Sequence, residues 1–453
     1  MRIISLVLLV GCVSSSRSRF DDLVRVPELD VARLDPEEAA QHPEIPRMLA
    51  TPLTADAAVR VAILNSPALQ SRLAMLDVAL ADFRGAGRVR NPDLELEAEY
   101  GEARPDLAFE LLVDIADIAR AGIRRRAADA SLEAARVEAA MAVLDHAYDT
   151  RVAFYEHQAD LERLELYRVT VDAFLAAAEA AAEMRTAGNV ADLDVVQQRA
   201  LYEESRIALV QAELAAQQSR ETLHVLMGLS GESTTWTVEE RLPVPTEEPV
   251  DLERLEALAF ERSLVLAQKR HQLEALARRV GLARTAGAIP ALRFGVAGAR
   301  EEGSWAFGPR VEVEIPVFDQ GQGPIGRAAA ELLIGQHDYV DSAVRVRSAA
   351  RRAFNRHRTA RARAVFVDDT FVPAREAVLR ETLLQYNAMN VGIFQLLDAK
   401  RALVDAQQQG VRARLEYWQA LAEVELGLAG RTRSMGGGVE VPEMAGDASG
   451  GGH

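Results

Sequence analysis

Asp93-Leu94-Glu95-Leu96-Glu97-Ala98-Glu99-Tyr100 alternates acidic and apolar residues over its whole length. Successive side chains of a strand point to opposite faces, so Leu94, Leu96, Ala98 and Tyr100 share one face and four carboxylates the other. The next segment keeps the period: Phe109, Leu111, Val113 and Ile115 alternate with Ala108, Glu110, Leu112 and Asp114. In the second half of the chain Val311, Val313, Ile315 and Val317 alternate with Arg310, Glu312, Glu314 and Pro316, and Ala291 to Gly298 alternates more weakly. Four strands of about ten residues, apolar on one face and polar on the other, fit a sheet with lipid on one side and water on the other. A solvated antiparallel sheet resting on a helix would alternate too. Against it, Tyr100, Trp305 and Phe307 fall near the outer strand ends and Phe318 at an inner end, where interfacial aromatics belong. Four strands cannot close a barrel, and an open edge in lipid leaves backbone groups unpaired, so several chains must share one barrel.

Beyond the strands lie long helices. Ile123 to Ala187 contains neither Gly nor Pro, and roughly 65 helical residues would run to about 97 Å. Val190 to Met227 supplies a partner of about 57 Å after a break at Gly188-Asn189. Leu161, Leu164, Val171, Leu175, Ala178 and Ala182 keep a heptad-like spacing, with Arg168 the exception. Arg327 to Gly430 repeats the plan, interrupted by Gly335, Pro373, Gly392 and Gly410, and Pro373 is expected to kink or break its helix.

Strands and helices belong to a chain that repeats itself. Ala62-Ile63-Leu64-Asn65-Ser66 is answered by Ala259-Phe260-Glu261-Arg262-Ser263, and Pro92-x-Leu94-x-Leu96 by Pro290-x-Leu292-x-Phe294. Asn189-Val190-x-x-Leu193-x-Val195-Val196 is answered by Asn390-Val391-x-x-Phe394-x-Leu396-Leu397. An offset of about 200 residues held through dissimilar segments marks one duplicated unit. The expected organisation is a leader at 1–11, an extended arm at 12–52, repeat one at 53–230, a linker at 231–249, repeat two at 250–430 and a disordered tail at 431–453. The arm carries Pro27, Pro36, Pro43, Pro46 and Pro52, the linker Pro243, Pro245 and Pro249, and the tail is Gly-rich from Gly436.

Composition narrows the function. The chain is 49% hydrophobic but only 5% aromatic, with Ala dominant, which suits close helix packing. Its net charge of −16 and its lack of a basic stripe argue against nucleic acid. After the leader, no stretch approaches the roughly 18 uncharged apolar residues of a transmembrane helix, so any membrane span must be β. The single cysteine, Cys12, ends Leu9-Val10-Gly11-Cys12 behind a short basic and apolar leader. That tetrapeptide resembles a bacterial lipobox, in which the cysteine becomes acylated; an ordinary secretory leader, or a buried Cys, is the alternative. Val13 in place of an Asp points by family analogy to the outer membrane.

Enzymatic motifs are missing. The eight histidines form no H-E-x-x-H and no i, i+4 pair, and there is no G-x-S-x-G. Gly321, Gly323 and Gly326 formally match a dinucleotide fingerprint, but Pro324 and the absence of a βαβ unit make a strand-to-helix turn the better reading. Neither a catalytic residue nor a cofactor nor a metal site is implied.

Leu53-Thr54, Ala57-Ala58-Val59, Asn65-Ser66-Pro67, Arg90-Asn91-Pro92, Ile315-Pro316-Val317-Phe318-Asp319 and, most specifically, Leu396-Leu397-Asp398-Ala399-Lys400-Arg401-Ala402-Leu403 together resemble the outer membrane efflux family, the TolC-like channel proteins, and in particular its lipobox-bearing members. The resemblance covers about Leu53 to Gly430. It implies a mainly α fold with transmembrane β: a homotrimer in which each chain gives four strands to a shared barrel and coiled-coil hairpins to a periplasmic α-barrel. It implies a passive export duct anchored in outer-membrane lipid, fed by an inner-membrane pump through a periplasmic adaptor protein. A lipid-anchored helical adaptor or structural protein of the periplasm is the alternative, and it would carry a compact lipoyl-like or barrel domain in place of four apolar-faced strands. By the same resemblance Asp398 matches an acidic position at the tunnel mouth, Asp194 looks like its counterpart in repeat one, and Tyr386 matches an aromatic linking neighbouring helices. Val391 and Gln395 depart from the pattern, standing where the best-known member has a basic and a second acidic residue. Both aspartates also suit a plain helix-start role.

Overall fold

A computed structural model describes residues 42–100, 106–245, 252–301 and 304–433. Repeat one contains α1 (Glu44–Leu49), α2 (Ala55–Asn65), α3 (Pro67–Ala86), β1 (Asp93–Glu99), β2 (Asp106–Asp114), α4 (Ile115–Thr186) and α5 (Asp192–Met227). Repeat two contains α6 (Leu252–Glu261), α7 (Leu264–Ala288), β3 (Leu292–Glu301), β4 (Ser304–Val313), α8 (Gln322–Phe366), a π turn (Val367–Phe371), α9 (Val372–Asn387) and α10 (Ile393–Leu428).

The strands form one antiparallel sheet in chain order, β1-β2-β3-β4. Its register puts Leu94, Leu96 and Ala98 of β1 beside Leu111, Phe109 and Leu107 of β2. The same face continues through Val296 and Phe294 of β3 to Phe307, Pro309, Val311 and Val313 of β4. Phe109, Trp305 and Phe307 gather there, the last two stacked at 5.7 Å. The fourth strand is shorter than its alternation suggests. Glu314 still donates its N–H to the Ala291 carbonyl, but Pro316 has no N–H to give, and Ile315, Val317 and Phe318 stand exposed beyond the strand.

With 72 residues, α4 spans about 108 Å and is the spine of the molecule. It starts directly after β2, where the Asp114 carboxylate accepts the Asp117 N–H at 3.0 Å, and it runs through Gly122. Ala is the commonest residue at its buried positions, so α3, α5, α7 and α10 can pack closely along it. Repeat two is built less simply. Pro373 neither breaks nor ends the helix: the chain enters and leaves the π turn in right-handed helical geometry, and the wider turn takes up the missing proline N–H. Gly335 and Gly410 lie inside unbroken helices.

Three expected boundaries change. The arm is not wholly extended, because α1 lies within it and buries Ile45 against Leu53 and Trp236. The linker is packed, because Trp236 and Leu242 are buried among the helices and Val238 pairs with Leu53 in a parallel bridge. Three residues of the expected tail hold position, with Arg431 bidentate on Asp145 and Arg433 on Asp149. The leader with Cys12, and Gly436 to His453, lie outside the described residues.

The duplication is also three-dimensional. Gly228 ends α5 at φ +66°, its missing Cβ 2.5 Å from the Asn65 carbonyl oxygen, and Asn65 donates from Nδ2 to the Met227 and Gly228 carbonyls. Gly430 ends α10 at φ +91° with the corresponding void 2.2 Å from the Arg262 carbonyl oxygen. Gly228→Ala should therefore lower stability by at least about 1 kcal/mol from the left-handed backbone alone. The clash with Asn65 should add to the loss, whereas helix-interior Gly281→Ala, whose Cβ meets open space, should not destabilise. Melting curves of the two variants in detergent check this.

Candidate functional site

The face of the sheet opposite the aromatics is polar and thinly covered. Gly295, Ala297, Ala299, Ala306 and Gly308 line its β3–β4 half. Glu110 pairs with Arg310 at 2.8 Å and Glu312 with Arg293 at 3.4 Å. On β1, Asp93, Glu95, Glu97 and Glu99 are exposed and have no cationic partner among the described residues. This face suits the wall of an aqueous passage, and its uncompensated charge favours cations.

Where sheet meets helices, Asp117 forms a buried knot, 2% exposed. It accepts two hydrogen bonds from Arg124, at 2.6 and 3.1 Å, and one from the Arg90 backbone N–H. Arg124 reaches on to the Ala86 and Arg88 carbonyls, so the pair pins the α3–β1 connection to α4. The Arg124 hydrogen bond outweighs burial and holds the Asp117 carboxyl below the ordinary aspartate value of 3.8. Folding therefore gains from the charged form above that pH and loses the gain as pH falls below it. Asp117→Asn should cost about 2 kcal/mol at neutral pH and shrink the gap to wild type in acid. Melting curves at neutral and acid pH would contradict this if that gap were independent of pH.

The far end holds the two helical turns. Asn189 donates to the Met184 carbonyl and Asn390 to the Gln385 carbonyl, and Gly188 and Met389 take the same left-handed conformation. The Asp194 carboxylate accepts the Ala191 N–H at 3.1 Å, a helix-start role. Its structural counterpart is Gln395, whose Oε1 accepts the Gly392 N–H at 2.6 Å. Asp398 thus matches Gln197, not Asp194. Asp398 is exposed and lines a cavity of about 350 Å³ with Phe174, Gln197, Leu201, Phe394 and Arg401, which draws the starts of α5 and α10 together. Tyr386 is half-buried on the last turn of α9, and its hydroxyl makes no hydrogen bond among the described residues.

Sequence reasoning missed the waist between these ends. Arg414 of α10 bridges Glu162 of α4 and Asp368 of the π turn, and the Glu162 carboxylate also accepts the Leu242 N–H. Four segments are tied at one guanidinium. Gly410 makes room, since a Cβ there would lie 3.1 Å from the Asp368 carboxylate. Near it His157, His224 and His357 are buried, and His146 is buried about four turns along α4, against the Leu226 carbonyl. One signal for it was legible: His157 and His357 are separated by about the repeat offset.

Residues 58–229 match the family model for outer membrane efflux proteins. The cobalt-zinc-cadmium resistance protein CzcC of Cupriavidus metallidurans is 23% identical over 404 residues, covering 88% of this chain and 95% of that protein. The fold is that of the outer membrane protein VceC from Vibrio cholerae, with TM-score 0.67 and 19% identity over 83% of this chain and 96% of VceC. It is equally that of the Campylobacter jejuni CmeC outer membrane channel, with TM-score 0.71 and 13% identity over 84% of this chain and 87% of CmeC. The mainly helical architecture with four strands is shared with these channels.

Proposed function

We propose that the chain is an outer membrane efflux protein, three copies of which close one barrel and act as a passive duct for cargo passed from an inner-membrane pump through a periplasmic adaptor. The observation that carries this reading is the sheet, which has one apolar face, one water-facing face and two open edges. The helices support it. One stripe of α5 exposes Leu193, Val196, Ile207, Val210, Leu214 and Val225, and the opposite margin exposes Leu333, Val340 and Val344 of α8. A neighbouring copy would cover both.

Metal cations fit the cargo best. The uncompensated carboxylates of β1 support this, as does the relative named for cobalt, zinc and cadmium resistance. Asp398 supplies a further acidic ring near the hairpin turns, and Tyr386 helps to hold that mouth closed. Asp194 has the weaker claim, because its carboxylate is engaged by the Ala191 N–H. Acylated Cys12 anchors the arm in the inner leaflet of the outer membrane. The adaptor alternative leaves the apolar face of the sheet without a use.

Detergent-purified protein should have a protein mass of about 150 kDa, three copies of the 49.4 kDa chain. In planar bilayers it should conduct cations in preference to anions. Substituting Glu95, Glu97 and Glu99 by Gln, or making Asp398→Ala, should each reduce that preference, and Tyr386→Phe should raise conductance. Selectivity unchanged by either substitution set would remove the carboxylates from the pathway, and a stable inserted monomer would remove the duct itself.

Labelling with a fatty-acid probe tests the anchor. Cys12→Ala should abolish incorporation while leaving assembly intact; equal incorporation in both proteins would rule out acylation at this residue.

A further inference from the structure

Aromatic side chains are scarce in this chain, yet a belt of them crosses the waist beside buried histidines. His157 on α4 and His224 on α5 each set their ring edge-on to Trp236 at 5.5 Å. On the other side of α4, Tyr155 stacks on Trp418 at 5.0 Å, Trp418 meets Tyr417 at 5.2 Å, and Tyr417 meets His357 of α8 at 5.4 Å. Each repeat therefore places one histidine from its first long helix in the same belt. His157 is 1% exposed and His357 4%.

The hydrogen bonds suit one tautomer of His157. The Ser219 hydroxyl donates to the Ala216 carbonyl, so its oxygen accepts from His157 Nδ1–H at 3.0 Å. That leaves Nε2 unprotonated, buried and without a partner, and His357 Nε2 is also buried without one. A proton on either nitrogen would place a charge in an apolar shell.

No carboxylate bonds either Nε2. Beside His157, α5 presents Arg220, its guanidinium 4.4 Å over the Trp236 ring, and Glu221, which lies 3.3 Å from His224 Nδ1. On α4 itself Asp160 is bound to Arg163 and Glu156 faces solvent. The packed 231–245 segment meets His157 with the Trp236 ring. Beside His357 stands Arg361 of the same helix. From α10 come Glu416, bound to Arg363, and Glu423, bound to Arg356, while the π turn's Asp368 is bound to Arg414.

We propose that this belt is an acid-sensitive latch: proton uptake by His157 and His357 breaks the packing of α4 on Trp236 and of α8 on Tyr417, loosening the roots of both helical hairpins together. Burial, then Arg220 and His224, push His157 down from 6.5 to about 4. Burial, then Arg361, pushes His357 down. A folded-state value below the unfolded one means that the stabilisation is complete above pH 6.5 and fades as pH falls towards 4.

Two measurements on the detergent-purified full chain test the latch. Hydrogen–deuterium exchange at the imidazole C2 position should show His157 and His357 titrating below the ordinary imidazole value of 6.5; titration at or above that value would overturn the proposal. The His157→Gln, His357→Gln double variant, whose amides cannot gain a proton in this range, should lose less melting temperature than wild type between pH 6.5 and 4. A folded double variant with the wild-type acid loss would also overturn it. Should the double variant fail to assemble, backbone exchange of the wild type decides. Acid should deprotect residues 150–160 and 353–361 ahead of the rest of α4 and α8, and uniform deprotection would sink the latch.

Discussion

A strand edge in hydrocarbon has no water to bond, and in the proposed duct this chain would carry two such edges, β1 and β4. Because the sheet follows chain order, β1 and β4 lie at opposite margins, and closure needs other copies. The helices inherit the constraint. Below the sheet α4 is flanked by α3 and α7, and α7 by α8; further down α4 is flanked by α5 and α10, and α10 by α8 and α9. Margins that are open in the sheet are thus open in the helices, and closing one ring closes the other. In the proposed assembly, oligomerisation and fold stability would be a single quantity that depends on protomer concentration.

Side-chain size is distributed to match. Along α4 Ala is the commonest buried residue, which lets helices approach and offers little to resist sliding. The three tryptophans sit at two levels only, Trp305 on the apolar face of the sheet and Trp236 and Trp418 at the waist. Large, geometrically specific contacts therefore fix two rings of the molecule, and small residues fill the length between them. Charge follows a similar logic. Asp117–Arg124 and Glu162–Arg414–Asp368 are paired and largely buried where segments must be held, whereas the β1 carboxylates are left exposed on the polar face of the sheet.

What the sequence disclosed depended on the range of the interaction. The two-residue period of Asp93 to Tyr100 and the Gly- and Pro-free run after Ile123 are local, and both survive in the structure with shifted ends. The proline-rich segment at 231–249 read as a linker because nothing local shows that Trp236 and Leu242 find partners on α4, α5 and α10. Pro373 was expected to disrupt because its cost is local, while its remedy, a π turn facing Gly410 and anchored by Arg414, comes from another helix. Asp398 was placed near the turn by motif, but its pairing with Asp194 ignored the register of the repeat, which the helix starts at Ala191 and Gly392 make plain.

The duplicated unit has kept its joints and changed its anchoring. Gly228 against Asn65 and Gly430 against Arg262 are the same backbone contact made twice, and the two helical turns share one hydrogen-bond pattern. Such positions admit few side chains because the backbone itself occupies the space. The hairpins differ elsewhere. The first long helix of repeat one is continuous and buries residues throughout, whereas its counterpart passes through the π turn and ends in α9, which buries none. Beyond the π turn α9 packs mainly on α10, and α10 is held at its waist by Arg414 between Glu162 and Asp368. The second hairpin is therefore fixed at its root and lightly held towards its turn, an asymmetry that arises from one extra residue in a helical turn and one shared guanidinium rather than from any difference in fold.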